Sequence, residues 1–277
     1  MNYNQITVGI VTFKSENVIF NCLKSIKKIK NIIIFDNSND KELEIKIKKK
    51  YPKIKFFLSK KNLGYGVANN QIIKKSKTPY IFILSPDVIL KKNCEQNLLK
   101  SAKQLKDFSI LAPISQYKHY DLYKKDLSEA EGVQGFAMLI NKKKIIQIGM
   151  FDKNIFLYAE EKDLCRRLRL NQQKIYIDKK AKVFHLSAKS SNIGFEFDKC
   201  RNWHFMWSQV YYDKKYFNIL KVYIKFILLL FPQLLKIIFY AISFNKNEVI
   251  NKFMRFSGTI NSLLGKKSWY RPKFKSY

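Results

Sequence analysis

Carboxylates, one histidine and a few glycines carry the chemistry this sequence offers. Asp36 follows the apolar run at residues 32–35, and Asp87 follows Tyr80–Leu84 through Ser85 and Pro86. A carboxylate at the end of a buried strand is held at a crevice, where it can accept from a nucleobase imide or ligate a metal. On residue type alone, each serves equally well as a turn or helix-cap residue. Glu160, Glu161 and Asp163 crowd the start of a helical pattern whose apolar face is Leu157, Leu164 and Leu168. Acids are favoured electrostatically at a helix N-terminus, and Asp163 is spaced to pair with Arg166 or Arg167 one turn later. The adjacent Glu160 and Glu161 are harder to explain structurally, because neighbouring carboxylates repel and two near one site form a general-base arrangement. His185 closes the run Val183-Phe184-His185. Alone it reads as structural; beside Asp87 it becomes a metal ligand.

The elements that must position these groups alternate in type. Ile6–Thr12 reads as a buried strand, and Ile19, Leu23 and Ile26 then recur at helical spacing. A second strand at 32–35 ends in a polar turn cluster at 36–40. A short charged helix (Leu43, Ile47), a third strand at 54–58, a glycine-containing loop at 62–66, a helix through Ile73 and a fourth strand at Tyr80–Leu84 follow. This alternation argues for an α/β fold with an open, mostly parallel sheet flanked by helices. Ligands of such sheets bind beyond the carboxyl ends of the strands. Further on the pattern is less regular: a helix near 93–105, the run Ile110–Pro113, and a polar, tyrosine-rich stretch at 116–131 that fits a mobile loop over a site. A strand at 134–140, a helix at 160–170, and short strands at 174–177 and 182–185 come next. From residue 202 the pattern is helical, apolar and basic, so a soft boundary near 200 divides a domain at 1–200 from a basic amphipathic helical region at 201–277.

Composition narrows the classes. The 277 residues contain 53 Lys and Arg against 21 Asp and Glu, a net charge of +32, with 47% hydrophobic residues and only 9 Gly and 6 Pro. A collagen-like, linker-like or broadly disordered chain is excluded. The charge calls for acidic partners: nucleic acid, an anionic membrane surface or phosphorylated substrates. Its lysines are scattered along the chain, which reads first as solvated faces. Cys22, Cys94, Cys165 and Cys200 are far apart with no CxxC spacing, as expected of buried reduced thiols. The N-terminal residues lack a basic segment followed by an apolar one, so a cytoplasmic chain is expected. Segment 219–244 is strongly apolar but carries Lys221, Lys225 and Lys236, and Pro232 is expected to break or kink it. Its uninterrupted run is shorter than the ~20 residues a spanning helix needs. A basic apolar helix lying in the membrane interface suits it better than a buried hairpin.

In order, these pieces resemble family 2 glycosyltransferases of the GT-A fold, and within them a rhamnosyltransferase-like branch of bacterial surface-polysaccharide synthesis. The matching residues are Val11-Thr12-Phe13, Cys22-Leu23-Lys24-Ser25-Ile26 and Ile34-Phe35-Asp36-Asn37-Ser38. They continue through Asn62-Leu63-Gly64-Tyr65-Gly66, Val67-Ala68-Asn69-Asn70, Ser85-Pro86-Asp87, Gln134-Gly135-Phe136 and Gly149-Met150-Phe151-Asp152. Last come Tyr158-Ala159-Glu160-Glu161-Lys162-Asp163 and His185 with Ser190. Together they span about residues 6–192.

The resemblance implies a nucleoside-diphosphate sugar donor, a divalent cation (Mg2+ or Mn2+) and inversion at the anomeric carbon. It places Thr12, Phe13 and Asp36 around the base and ribose, with Glu16 among the substrate-binding residues. Asn62, Gly64, Asn70, Ser85 and Gly135 fall on the donor side, Asp87 and His185 on the metal, Glu161 at the catalytic base and Glu160 beside the acceptor or sugar. Lys14 stands where many relatives have Asn, the metal motif lacks the first acid of Asp-x-Asp, and the base is Glu instead of Asp. The expected acceptor is a lipid-linked or lipid-anchored glycan, and the expected location is peripheral to the inner face of the plasma membrane. Alternatives are a sugar-phosphate nucleotidyltransferase, against which residues 12–17 contain no glycine, and a non-enzymatic nucleic-acid-binding protein, for which no motif is present. Nucleic acid is therefore not the expected partner; the anionic bilayer takes the excess charge.

Overall fold

Strand β1 (Ile6–Thr12) is buried along its whole length, as a central strand covered on both faces must be. The computed structural model describes residues 1–105, 107–116, 125–186 and 194–271. Ser190 and positions 117–124 of the tyrosine-rich stretch lie outside the described residues. Helix α1 (Glu16–Ser25), β2 (Asn31–Asp36), α2 (Lys41–Lys50), β3 (Lys55–Leu58), α3 (Tyr65–Lys75) and β4 (Tyr80–Leu84) follow β1. After them come β5 (Val88–Leu90), α4 (Cys94–Leu105), β6 (Ile110–Ile114), β7 (Leu127–Glu129), β8 (Ala137–Asn141), α5 (Lys142–Gln147), α6 (Glu160–Leu170) and β9 (Ile175–His185).

The strands form one sheet in the order β3-β2-β1-β4-β8-β6-β9-β5, with β7 also pairing with β9. β3, β2, β1 and β4 are parallel neighbours, as are β6 and β9, whereas β8 runs antiparallel to both β4 and β6. Alternate β1 side chains enter two cores. Ile6, Val8 and Ile10 pack with Ile19, Leu43, Ile47 and Leu98 of α1, α2 and α4. Val11 packs with Ile72, Ile73, Ile145, Leu164 and Leu168 of α3, α5 and α6. The fold is thus α/β, a curled sheet with helices on both faces.

Three local expectations are corrected. The two short strands near 174–177 and 182–185 are one strand, β9, whose register against β6 shifts at Pro113/Ile114. Asp178 supports that irregularity by accepting from Ser101 Oγ (2.7 Å) and from the Lys180 and Ala181 amides. The strand expected from 134 begins at Ala137, leaving Gly135 and Phe136 outside the ladder. Of the break or kink expected at Pro232, the break does not occur. Helix α8 (Ile219–Ile242) runs through it for 24 residues, and Pro232 is exposed, so the backbone partner it forfeits is not sealed inside the protein.

By contact, the chain divides into two compact units: Met1–Asp152 with Glu161–Asn192, and Lys153–Glu160 with Ile193–Tyr277. The second holds α7 (Phe195–Tyr216), α8 and α9 (Lys246–Leu263). Met206, Val210, Val222, Phe226 and Leu263 form one small core, and Trp203, Trp207 and Met254 another. Among the residues of α8 only Val222 and Phe226 are buried, so α8 is not the inner helix of a buried hairpin. Its outward side, including Leu220, Leu228, Phe231 and Phe239, is exposed, and by length and hydropathy the helix fits a membrane-associating segment.

Helices α7 and α9 meet closely because Gly258 has no side chain. A Cβ there would sit 2.3 Å from the Trp203 carbonyl oxygen, a backbone atom that no rotamer change can move. Gly258→Ala should therefore destabilise the helical unit by roughly 1–3 kcal/mol, seen as a lowered urea midpoint. An unchanged midpoint would contradict this packing.

Candidate active site

The carboxyl ends of β1, β2 and β4 supply the first cluster. Thr12 and Asp36 are register partners at the ends of β1 and β2, and Thr12 Oγ1 donates to Asp36 Oδ2 at 2.9 Å. The Ser38 and Asp40 amides donate to Asp36 Oδ1 at 2.9 and 3.0 Å, and Ser38 Oγ reaches both carboxylate oxygens. Burial pushes the Asp36 carboxyl above its ordinary value, while these hydrogen bonds pull against that shift. Asp36 thus folds the 36–40 turn. Asn37 extends the network: its Nδ2 donates to the Gly64 carbonyl (3.2 Å) and its Oδ1 accepts from Leu63 N (3.3 Å). Asn62 Oδ1 accepts from Gly64 N at 2.9 Å, and Gly64, with φ 82°, opens α3 in the left-handed region that suits glycine.

Phe13 N donates to Ser15 Oγ, and Lys14 N donates to Ser38 Oγ. Lys14 has φ 49°, a left-handed backbone that asparagine tolerates better than lysine does. Glu16 is half exposed and ion-paired with Lys46 at 2.5 Å. Asn70 is buried and spent on a single neighbour: Nδ2 donates to the Phe151 carbonyl (2.9 Å) and Oδ1 accepts from Phe151 N (3.0 Å). Both ends of that amide hold the 148–152 turn.

Asp87 behaves differently. It is 2% exposed, and neither carboxylate oxygen has a hydrogen-bond partner among the described residues. Leaving a carboxylate buried and unsatisfied costs several kcal/mol unless a charge compensates it. The adjacent group is His185, whose Nε2 lies 3.5 Å from Asp87 Oδ1. Pairing of Val88 with His185 across β5 and β9 brings the two residues together, and the Leu186 amide donates to the Asp87 carbonyl. Two candidate metal ligands converge here; among the described residues no third His, Cys, Asp or Glu joins them.

The Gly135–Phe136 segment connects this pair to the acids of α6. Phe136 stacks on the His185 ring with centroids 4.5 Å apart, and its carbonyl accepts from Ser85 N at 2.8 Å. The Gly135 carbonyl accepts from Tyr65 Oη at 2.8 Å. A Cβ on Gly135 would lie 3.4–3.6 Å from the Cβ, Cγ and Cδ of Glu161, so the Glu161 side chain runs along this backbone. The Glu161 carboxyl accepts from its own backbone N–H and that of Lys162 at the start of α6, but burial dominates and raises its pKa. Glu160, the first residue of α6, is buried. Tyr158 and Ala159 just before it both have left-handed backbone, φ 67° and 64°, strain of the kind that gathers at functional sites. Asp163 takes the structural role its spacing allowed: Arg167 Nε donates to it at 2.8 Å, and the same guanidinium holds the carbonyls of Ile148 and Met150.

The sequence profile of Glycosyl transferase family 2 matches residues 7–177, more than half the chain and nearly the whole sheet. The chain belongs to this family. Among curated family members, the low-salt glycan biosynthesis hexosyltransferase Agl10 of Haloferax volcanii is 24% identical over 193 residues, 60% of this chain and 62% of that protein. The SPbeta prophage-derived glycosyltransferase SunS of Bacillus subtilis is 31% identical over 114 residues, 40% of this chain and 27% of its own length. This chain therefore spans less than two thirds of either relative. Among solved structures, the mannosyltransferase PcManGT of Pyrobaculum calidifontis, in complex with GDP-Man and Mn2+, superposes with a TM-score of 0.60 at 12% identity, covering 72% of this chain and 61% of that one. GalNAc-T7 with UDP, GalNAc and Mn2+ gives 0.55 at 13% identity, covering 65% and 43%. These likenesses show the GT-A fold.

Sequence reasoning on this family 2 chain missed three groups. Tyr65 and Phe136 lie inside quoted motifs, but only the structure shows one bonded to Gly135 and the other stacked on His185. Gln116 donates to the His185 carbonyl (2.6 Å) and accepts from its amide (3.0 Å), and no sequence signal marks it. Asn70 gives the clearest test of a positioning role. Asn70→Ala leaves the Phe151 amide and carbonyl unpaired, so stability should fall by roughly 2 kcal/mol in urea unfolding; undiminished stability would mean that this amide is not what holds the turn.

Proposed function

We propose that the chain is an inverting glycosyltransferase, moving a hexosyl or deoxyhexosyl group from a nucleoside-diphosphate sugar to a hydroxyl of a lipid-linked or lipid-anchored glycan in surface-polysaccharide or lipooligosaccharide synthesis. The observation that carries this reading is the buried, unsatisfied Asp87 carboxylate beside His185, tied through Gly135–Phe136 to Glu161. Those two side chains suit a divalent cation, an oxygen and an imidazole donor with room for others from a diphosphate. When bound, such a cation supplies charge stabilisation to a departing nucleoside diphosphate. The GT-A neighbours crystallised with Mn2+ and nucleotides support the same assignment.

The chain's own residues supply the rest. Thr12, Phe13 and the Asp36 turn form the wall assigned to base and ribose, with Asn62 and Gly64 beside them and Glu16 at its rim. Ser85 sets the direction of Asp87, while Asn70 acts on the donor side through the turn it holds. Gly135 leaves backbone bare where the donor sugar comes close. Glu161 takes the proton from the acceptor hydroxyl as the new glycosidic bond forms, and Glu160 orients the acceptor. We read residues 1–200 as the catalytic domain and 201–277 as the membrane-facing region, at the inner face of the plasma membrane.

Helix α8 suits a position in the plane of the membrane. Helix α9 runs back along it: Tyr223 Oη donates to the Leu263 carbonyl at one end, and Lys252 Nζ sits 5.6 Å from the Tyr240 ring centre near the other. If α8 crossed the bilayer, α9 would carry Arg255 and the Glu248–Lys252 pair into hydrocarbon, at about 2.5–3.5 kcal/mol for each basic residue at the centre. Lying flat, α8 buries its apolar side without moving those charges.

Glu161→Gln should abolish transfer while leaving donor binding nearly intact, measured by product formation and nucleotide titration; wild-type turnover would remove Glu161 from the role. A raised pKa keeps this carboxyl protonated to higher pH, so the base appears only above it. The rate of wild-type enzyme should therefore climb with pH along a limb lying above the ordinary glutamate value of 4.5, and a limb at or below that value would contradict the burial-driven shift. Chelation should suppress activity, Mg2+ or Mn2+ should restore it, and Asp87→Asn should lose at least roughly a hundredfold in kcat/KM. Full activity in excess chelator would sink the cation assignment.

A further inference from the structure

The helical unit contains a basic pocket whose lining includes none of the residues assigned to catalysis. It has a volume of about 640 Å³ and is lined by Lys153, Lys214, Lys215, Lys266, Lys267 and Arg271, with no carboxylate among its lining residues. Its aromatic wall is Trp207 stacked on Tyr211, centroids 5.0 Å apart, with Trp207 Nε1 fixed on the Lys266 carbonyl at 3.0 Å. Helix α9 ends at Leu263, and Gly265 just beyond it, with φ 72°, turns the chain where Lys266 and Lys267 line this space. Ser262, 3% exposed, also lines it, and its hydroxyl has no hydrogen-bond partner among the described residues.

Part of this charge has a structural explanation. Lys214 Nζ donates to the Ser262 and Leu263 carbonyls, capping the C-terminus of α9. Arg271 is also engaged, its Nη1 donating to the Tyr270 carbonyl. Lys153, Lys266 and Lys267 are exposed, and among the described residues no acid lines the pocket, so its field selects an anion. The exposed ammonium groups of Lys153, Lys266 and Lys267 with the buried Ser262 hydroxyl match phosphate oxygens.

The anion can be narrowed further. An adjoining cavity of about 570 Å³ shares Lys214 and Gly265 with the basic pocket and is otherwise lined mainly by Tyr223, Ile227, Leu230, Ile260, Leu263 and Leu264. A free phosphate or nucleotide has no use for such an apolar extension. An amphiphile uses both spaces. We propose that the basic pocket binds the phosphate or diphosphate head group of a membrane lipid, whose hydrocarbon chain leaves along the apolar cavity beside α8. This rests on the membrane placement put forward for α8, but not on the transfer reaction.

The test uses the full chain and decyl phosphate below its micelle concentration, so that diffuse attraction to a charged bilayer plays no part. Calorimetric titration should show decyl phosphate binding at least roughly tenfold more tightly than inorganic phosphate or decyl maltoside. The variant Lys153→Gln/Lys266→Gln/Lys267→Gln changes exposed side chains and should lose about tenfold or more of that affinity, with its melting temperature unchanged. A control of equal charge loss, Lys221→Gln/Lys236→Gln/Lys246→Gln, should stay within about twofold. Inorganic phosphate binding as tightly as decyl phosphate would replace the lipid with a free anion. Equal losses in both variants, or none in the first, would overturn the pocket. Vesicle sedimentation separates the two readings: a chain that ignores anionic vesicles yet binds decyl phosphate would remove the membrane placement and leave the pocket standing.

Discussion

The unsatisfied Asp87 carboxylate is the constraint on which the candidate site depends. A buried charge of that kind is tolerated only where neighbouring structure holds it in place and a compensating charge can reach it. Here the holding is done mostly by backbone. Ser85 is tied to Phe136, Phe136 lies against the His185 ring, and His185 is fixed at its own amide and carbonyl by Gln116. Gly135, one residue earlier, receives Tyr65 and lies along Glu161. A two-residue segment just outside β8 therefore couples the cation candidates to the base candidate. The coupling explains why these residues are scattered over more than seventy positions of the sequence, Glu161 and His185 lying well beyond Asp87.

Charge is distributed with equal economy. The +32 excess is mostly solvated lysine, and one cationic cluster forms a pocket in the helical unit. The exposed apolar side of α8 and the basic pocket are the two features on which the proposed lipid contact rests, area in the first and phosphate recognition in the second. Polar α9 packed along α8 favours a helix lying flat over one that crosses, a constraint that hydropathy alone does not contain.

Much of the fold was legible because the first half obeys local rules. Strand–helix alternation placed β1 to β4 and α1 to α3, and Asp163 pairs with Arg167 at the spacing read from the sequence. What was illegible depends on long-range pairing. Nothing local distinguishes Asp36, whose carboxylate is held by internal hydrogen bonds, from Asp87, whose carboxylate has none among the described residues; the difference lies in which donors face each carboxylate. Asn70 sits in a motif and reads as a ligand contact, yet it holds Phe151. The continuity of β9 depends on Asp178 stabilising an irregular register, and the run of α8 through Pro232 on that residue facing outward. Sequence periodicity reports neither.

The account stands or falls on whether Asp87 and His185 share one cation in the presence of a nucleoside diphosphate. The direct measurement is pulsed electron paramagnetic resonance of Mn2+ bound to the full chain with a nucleoside diphosphate, read for coupling to histidine nitrogen. The chain has only three histidines, so the assignment is tractable. The account predicts a directly coordinated imidazole nitrogen that disappears in His185→Gln. Bound Mn2+ with no nitrogen coupling, or coupling that survives that substitution, would place the cation elsewhere and contradict it.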